Sequence, residues 1–169
     1  MNGDRFSTAD LHDRHGAGGG LQVVSPGLRA FGAMRACAGR IATVSGAEGD
    51  PPRLSEVLRT PGQGRVLVAE GGGVAARHAL VGEKMAALAI ENGWAGIVLD
   101  GLVRDVAVLR VLPIAVFALG SIPSRPAWAE TVRMRHDLPL RFLDALFEPG
   151  HWLYADEDGI VLAPHALGA

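Results

Sequence analysis

Three apolar blocks separated by helical patterns dominate the middle of the chain. The blocks are rich in β-branched residues, as buried strands are, and they span Arg65–Gly73, Ala95–Gly101 and Leu112–Gly120. Between the first two, Glu83–Asn92 carries Met85, Leu88 and Ala89 at the spacing of one helix face. The segment VRDVAVLRVL, which follows Gly101, is predicted as a shorter helix. The order β–α–β–α–β predicts a parallel sheet with right-handed crossovers.

The N-terminal part follows other patterns. It predicts a short helix capped by Ser7 or Thr8 and ending near Gly16, a glycine loop over Ala17–Gly20, and a strand over Arg40–Gly46. Asp50 is expected to cap a further helix that reaches about Leu58, with Pro51 and Pro52 in its first turn.

The C-terminal part predicts short strands around turns at Pro149-Gly150 and Asp158-Gly159, which would form an antiparallel addition to the sheet. The polar segment SIPSRPAWAETVRMRHD before it carries no predicted element. No repeat or low-complexity linker divides the chain, so residues 1–169 are expected to form one domain. The predicted class is α/β, with a mainly parallel central sheet.

Composition narrows the classes of function. With 49% hydrophobic and 20% charged residues the chain is typical of a soluble globular protein. A net charge of −2 argues against direct nucleic-acid binding driven by phosphate neutralisation. A single cysteine, Cys37, excludes an internal disulfide and is expected to be a small buried hydrophobe. No apolar run reaches membrane-spanning length, and the polar start MNGDRFSTADLHD does not resemble a signal peptide, so a cytoplasmic location is expected.

Candidate chemistry lies where the predicted strands end, because ligands of open α/β sheets bind beyond the carboxyl ends of the strands. Glu70 precedes a triple glycine, and Asp100 precedes Gly101. Arg104 and Asp105 follow the second strand. Each of these acids has an ordinary alternative as a loop acid, and Arg104–Asp105 has one as an exposed ion pair of little energetic value.

One combination of these residues would suit a 2-keto acid. The first amides of the predicted helix are those of Gly82, Glu83, Lys84 and Met85. Such unpaired N–H groups favour a carboxylate. The guanidinium of Arg104 could bind the same carboxylate in a bidentate manner, and Asp105 could hold Mg²⁺ or Mn²⁺. The metal would polarise the keto oxygen and stabilise the enolate formed when a C–C bond breaks.

A dinucleotide site is the rival interpretation. Gly71, Gly73 and Ala76 match the loose G-x-G-x-x-A fingerprint after a strand, and Asp100 would then bind ribose. Gly82 would fall inside the helix that this site requires, which weakens it. A phosphate-binding P-loop is excluded because GGGVAAR lacks the Gly-Lys-Ser/Thr ending.

The histidines and the lysine add little. His12 and His15 stand at i, i+3 and could share a metal, although a solvated helix face is the simpler interpretation. His78 is a possible neighbour of the glycine loop. Three further histidines lie in turn-like or terminal sequence: His136, His151 and His165. Lys84, the only lysine, is expected to be charged and solvated at a helix start, which disfavours Schiff-base chemistry.

Five segments together resemble the RraA-like family, which includes the regulator of ribonuclease activity A and class II 4-hydroxy-4-methyl-2-oxoglutarate aldolases. They are STADLHDRHG, PGLRAFG, RVLVAEGGG, ALVGEKMAALAIENGWAGIVLDGLVRD and PGHWLYADEDGIVLAP. They cover most of the chain in the family's order. Nothing in them resembles an S-adenosylmethionine site, the basis of an older methyltransferase label for such sequences.

The resemblance implies an α/β/α sandwich of the swivelling-domain type, assembled as a homotrimer or hexamer with its pocket at a subunit interface. In the aldolase branch it implies that Arg104 binds pyruvate, that Asp105 binds Mg²⁺ or Mn²⁺, and that the Gly82–Met85 amides hold the carboxylate. Related enzymes also decarboxylate oxaloacetate through the same pyruvate enolate. The regulator branch implies a different role, as a non-catalytic ring that binds and inhibits ribonuclease E.

This chain departs from the aldolase pattern at three places. The acid that usually stands three residues after the aspartate is replaced by Val108, which is expected to weaken metal affinity or turnover. The run from Ser121 to Pro126 reads SIPSRP in place of a Thr-x-Pro-Arg-Lys-Ser-like run. Phe142 to Leu146 replaces a Gly-Gly-Val-Thr-like hairpin. Retained Asp105 therefore favours the enzyme, whereas Val108 favours a weakened or repurposed one.

Overall fold

Strands from both halves of the chain build one mixed sheet in the computed structural model, which describes residues 6–47 and 49–168. The strands are β1 Gln22–Val23, β2 Arg29–Ala30, β3 Cys37–Gly46, β4 Val66–Glu70, β5 Ala79–Val81, β6 Gly96–Val103, β7 Ala115–Ser121, β8 Met134–His136, β9 Leu140–Phe142, β10 Ala145–Phe147, β11 Trp152–Ala155 and β12 Ile160–Ala163. The α-helices are α1 Thr8–His15, α2 Leu54–Leu58, α3 Glu83–Glu91 and α4 Val106–Leu109. Residues 1–5, which bear on the signal-peptide prediction, lie outside the described part.

The centre of the sheet is parallel, as predicted. The main path of the whole sheet has the strand order β1-β12-β11-β3-β4-β6-β7-β2. Its four central strands, β3, β4, β6 and β7, run parallel to one another. β11 and β12 pair antiparallel beside β3, which confirms the antiparallel C-terminal addition. β9 and β10 form a separate hairpin.

Alternating side chains of the parallel strands divide between two cores. Leu67, Leu99 and Val116 face the side covered by α2, α3 and α4. Val68 and Val98 face the other side, where β9, β10 and the inner surfaces of β11 and β12 cover them. This period of two is what a sheet buried on both faces requires. Helix α1 packs outside β11 and β12. The mixed α/β class with a mainly parallel central sheet is thus confirmed.

Most predicted elements form close to their expected bounds. Ser7 caps α1, its side chain accepting the Asp10 N–H at 3.3 Å, and Gly16 ends the helix. The strand predicted to start at Leu112 begins only at Ala115. The glycine loop contains a 3₁₀ turn over Gly16–Gly18. No helix in the described ranges is long and apolar enough to cross a membrane.

The predicted start of α2 was wrong. The helix begins at Leu54, and Asp50 does not cap it. The reason is steric, because a proline disfavours helical geometry in the residue before it. Pro51 therefore disfavours helical geometry at Asp50, and Pro52 disfavours it at Pro51.

Four strands escaped the sequence-based prediction: β1, β2, β5 and β8, each of two or three residues. β5 pairs in parallel with the far end of β6, and β8 pairs antiparallel with β3. Both have only three residues, and such short strands show no readable period. β5 matters for the site, because it carries the chain from the glycine loop to the start of α3.

Candidate functional site

The residues Arg104 and Asp105 leave the sheet at the end of β6, its longest parallel strand after β3. β6 pairs with β4 up to Asp100 and with β5 at Leu102 and Val103. The Arg104 N–H donates to Val81 O at 2.9 Å, which fixes this exit beside the start of α3. The strand end and the helix start thus meet through β5.

Asp105 binds the N-terminus of α3 itself. Its Oδ2 accepts the Glu83 N–H at 3.0 Å and lies 3.9 Å from Arg104 Nε. Asp105 adopts a left-handed backbone conformation with φ of 57°, which directs the chain into α4. One of the amides predicted to hold a ligand carboxylate therefore already holds this one, as the partial positive charge of a helix N-terminus favours.

Gly82 is what allows this contact. A Cβ built on Gly82 would lie 2.5 Å from Asp105 Oδ2 and 3.1 Å from Arg104 Cγ. A larger residue would push the carboxylate away from the helix. The side chains of Arg104 and Asp105 are each 39% exposed, so both remain accessible to a small ligand.

A cleft of about 250 Å³ opens over this arrangement. Five of the six predicted site residues line it: Gly82, Lys84, Met85, Arg104 and Asp105. Glu83 contributes through its amide, and its side chain is exposed. The structure thus brings together all of the residues predicted as one site.

Eight further lining residues were not predicted, and three of them bear charged or aromatic side chains: Arg53, Arg125 and Trp128. Arg53 precedes α2, and the other two belong to the polar segment that had no predicted element. A tryptophan within the otherwise polar run SIPSRPAWAE was the available signal, since aromatic side chains are seldom placed in solvated loops without a contact. Trp128 is nevertheless 40% exposed.

The charge of the cleft is strongly positive. Among the described residues its lining has four basic side chains, Arg53, Lys84, Arg104 and Arg125, and one acid, Asp105. The whole chain carries a formal net charge of −2, so the positive charge is concentrated here. Such a concave cationic surface attracts and orients small anions.

The donor set for a metal is one carboxylate. Among the described residues no group of three or more His, Cys, Asp or Glu side chains could hold an ion. Val108 supplies no ligand, and its N–H donates to Asp105 O at 2.9 Å within the α4 turn. Asp105 alone suits hydrated Mg²⁺ or Mn²⁺, which keeps several waters and takes further oxygens from a substrate.

The other two predicted acids lie outside the Arg104 cleft, and one of them, Glu70, lines a different cavity. Glu70 and Asp100 are neighbours across β4 and β6. Glu70 lines a cavity of about 590 Å³ together with His78, as expected for a neighbour of the glycine loop, and the Arg104 cleft lies apart from it. Burial, and then the nearby charge of Glu70, raise the pKa of the Asp100 carboxyl. His78 Nε2 is buried without a hydrogen-bond partner among the described residues.

The structure removes the dinucleotide alternative. Gly73 is followed by a 3₁₀ turn over Val74–Ala76 and then by β5, so the helix that the fingerprint requires is absent there. His12 and His15 are exposed and belong to no metal-binding group among the described residues. Cys37 is buried as expected, and burial raises the pKa of its thiol to about 12.

The protein is thus a mixed α/β protein. It has a positively charged cleft at the carboxyl edge of its parallel strands. The model of the RraA-like family, described as Aldolase/RraA, matches residues 8–162. The chain therefore belongs to the RraA-like family.

Curated relatives and solved structures agree with this assignment. The chain is 46% identical to a protein of Laribacter hongkongensis named "Putative 4-hydroxy-4-methyl-2-oxoglutarate aldolase", over 96% of this chain and 98% of that protein. A Xanthomonas campestris protein of the same name is 44% identical, over 96% of this chain and 93% of that one.

Two solved structures share the fold across nearly their whole length. The RNA-processing inhibitor RraA from Thermus thermophilus has a TM-score of 0.86 and 36% identity, covering 98% of this chain and 96% of that one. A Geobacillus kaustophilus protein described as an S-adenosylmethionine:2-dimethylmenaquinone methyltransferase has a TM-score of 0.86 and 37% identity, covering 96% and 97%. The family thus carries several functional labels on one fold.

Proposed function

We propose that this protein is a divalent-metal-dependent lyase acting on 2-keto acids. The reactions are retro-aldol cleavage of substrates such as 4-hydroxy-4-methyl-2-oxoglutarate and decarboxylation of oxaloacetate. The observation that carries the proposal is the placement of Asp105, Arg104 and the start of α3 around one cleft. The names of the aldolase relatives supply the substrate class.

Arg104 and the α3 start bind the keto acid in this proposal. The guanidinium of Arg104 and the free amides at Lys84 and Met85 receive the C1 carboxylate and keto oxygen, because both groups offer N–H donors to an anion. The carboxylate of Asp105 would hold Mg²⁺ or Mn²⁺. The ion, when bound, supplies Lewis-acid polarisation of the keto oxygen.

The positive cleft favours the charge that develops during cleavage. The C3–C4 bond of the substrate breaks, its electron pair moves to C3 and the adjacent keto group, and the C4 hydroxyl loses its proton as it becomes a carbonyl. Arg104 and Lys84 stabilise the resulting enolate oxygen electrostatically, because they already stand in place before the reaction. Among the described residues Asp105 is the only carboxylate that lines the cleft, so we assign the proton transfers to water.

Release of pyruvate tests the proposal. We expect the purified protein to release pyruvate from 4-hydroxy-4-methyl-2-oxoglutarate or oxaloacetate in the presence of Mg²⁺ or Mn²⁺, and to lose this activity with a chelator. A coupled dehydrogenase assay measures it. Absence of pyruvate release with both substrates and both metals would exclude the lyase.

A regulator of ribonuclease E is the second candidate. It is favoured by the RraA structure from Thermus thermophilus and by Val108, which removes the second acid of the aldolase pattern. In this case a non-catalytic ring of three or six subunits would bind a basic surface of the nuclease without contacting RNA. Pull-down of ribonuclease E across a salt series separates the candidates, since no binding at low salt would exclude the regulator.

We further propose a single domain, a homotrimeric or hexameric assembly with the cleft near a subunit interface, and a cytoplasmic location. The family resemblance supports the assembly. Sedimentation of the purified protein measures its mass, and a monomer at micromolar concentration would contradict it.

A further inference from the structure

The cleft contains a second cationic group at a distance in sequence from Arg104. Arg53 stacks on Trp128, with its Cζ 5.5 Å from the ring centroid, and its Nη2 donates to Ala129 O at 3.0 Å. Arg125 lines the same cleft. We call Arg53, Arg125 and Trp128 the distal group.

Hydrogen bonds hold the distal group over the sheet edge. The Ser124 carbonyl accepts the Ala79 N–H at 2.8 Å, and its hydroxyl donates to Arg77 O at 2.7 Å. The Ile122 N–H donates to Val103 O at 2.9 Å. These contacts fasten the segment that carries Arg125 and Trp128 to the neighbourhood of β5 and β6.

Stacking on Trp128 orients the guanidinium of Arg53, whose ion pair with Glu56 is weak. An indole face restrains the plane of a guanidinium, while the N–H groups at its edge remain available. In the described part of the chain its acidic partner is Glu56, with Oε1 3.6 Å from Arg53 Nη1, and both side chains are partly exposed. Exposed pairs of this length contribute little, so an incoming carboxylate can replace Glu56.

The charge of the cleft exceeds what one carboxylate needs. A 2-keto monocarboxylate would engage Arg104 and the start of α3, and Asp105 already faces both of these. The positive charges of Arg53 and Arg125 would then face no negative charge among the described residues that line the cleft. A second anionic group on the substrate would provide one.

We propose that the distal group binds the second carboxylate of the substrate and makes the site selective for 2-keto dicarboxylates. The inference rests on the proposed lyase function. Arginine stabilises a carboxylate as an anion, and this stabilisation is lost if the group leaves as neutral CO₂. The distal group therefore favours retro-aldol cleavage, in which 4-hydroxy-4-methyl-2-oxoglutarate yields two pyruvates and both carboxylates survive.

A matched pair of substrates tests this selectivity. 4-Hydroxy-4-methyl-2-oxopentanoate has a methyl group where 4-hydroxy-4-methyl-2-oxoglutarate has its distal carboxylate, and it would yield pyruvate and acetone. We expect Arg53→Met to raise KM for the dicarboxylate by about tenfold, the typical value of one charge-assisted hydrogen bond, and to leave the monocarboxylate unchanged. Arg53→Lys should restore part of the loss. Arg59→Met, an exposed arginine at the other end of α2, is the control.

Binding provides a readout that does not depend on turnover. We expect 2-oxoglutarate to bind more tightly than 2-oxopentanoate by calorimetry, and Arg53→Met or Arg125→Met to remove the difference. Equal losses for both ligands, or no loss in either variant, would overturn the distal group as a carboxylate site. Failure of the lyase proposal looks different, since wild-type protein would then release no pyruvate although the binding preference could still be measured.

Discussion

Two acidic positions at the carboxyl edge of the same parallel sheet have opposite surroundings. Asp105 faces a helix N-terminus and an arginine in a cleft with four basic side chains. Asp100 lies five residues earlier, within β6, and it is half-buried with Glu70 beside it; burial and then the charge of Glu70 raise the pKa of its carboxyl. A strand end alone therefore does not define a site. The neighbours that packing brings decide whether an acid faces hydrogen-bond donors, as Asp105 does, or another acid, as Asp100 does.

Removing the charge of Asp105 should have the largest effect. We expect Asp105→Asn to lower pyruvate release at least about a hundredfold, because a carboxylate that holds a catalytic metal supports several kcal/mol of transition-state stabilisation. The asparagine oxygen can still accept the Glu83 N–H, so the fold should persist. Steady-state kinetics with saturating Mn²⁺ measure the loss.

Asp100→Asn is the matched control for this substitution. It removes an acid from the same strand and should change activity by less than about threefold, since Asp100 lies outside the Arg104 cleft. Equal losses in the two variants would remove the functional distinction between the two acids.

Moving the Asp105 carboxylate without removing it should have the next largest effect. In Gly82→Ala the new Cβ would stand 2.5 Å from Asp105 Oδ2 and displace it from the Glu83 amide. We expect roughly a tenfold loss of activity, and a loss of about 1 kcal/mol of stability, typical of a helix cap. Thermal unfolding and kinetics measure the two.

Gly20→Ala tests the specificity of that result, because a Cβ on Gly20 meets nothing within 4 Å. It should leave both activity and stability unchanged. If Gly82→Ala behaves in the same way, the position of Asp105 is not what the reaction requires.

Adding an acid at position 108 should have a moderate effect, and it should strengthen metal binding. We expect Val108→Glu to tighten Mn²⁺ binding several-fold, because the ion then gains a second carboxylate, direct or through water. Calorimetric titration of Mn²⁺ measures it. Val111→Glu, at a position 74% exposed near the end of the same segment, is the control, and equal tightening in both would indicate non-specific charge attraction.

The smallest effect concerns the pH dependence of stability at Asp100. A carboxyl whose pKa is raised by folding binds its proton more readily in the folded state, so stability falls as pH rises from the ordinary Asp range through the raised pKa. Above that window the charged group is a cost. Asp100→Asn should therefore raise Tm slightly at neutral pH and leave it unchanged at strongly acidic pH. A Tm that falls at neutral pH would contradict this sign.

The order of the parallel core was predictable because its signals are local. Two-residue alternation and blocks of β-branched residues give the strands from Val66 to Ser121, and i, i+3, i+4 spacing gives α3. The chain order of these elements then requires right-handed crossovers and places Arg104 and Asp105 at a strand end. The start of α2 was predicted wrongly because an Asp-Pro pattern often marks a helix N-terminus. Here the second proline, Pro52, disfavours helical geometry at Pro51, so Asp50 cannot be the cap.

The sequence by itself therefore determined the class of fold, the family and the pairing of an arginine with an acid beyond β6. Only the tertiary structure decided that Asp105 caps a helix 22 residues away and that Arg53 stacks on Trp128, 75 residues away. It also decided that Glu70 lines a different cavity from Arg104 and that Asp100 lies outside the Arg104 cleft. The reason is physical: such contacts depend on how short segments without a period, β5 and the stretch around Trp128, pack against the sheet. That packing is set by the whole core.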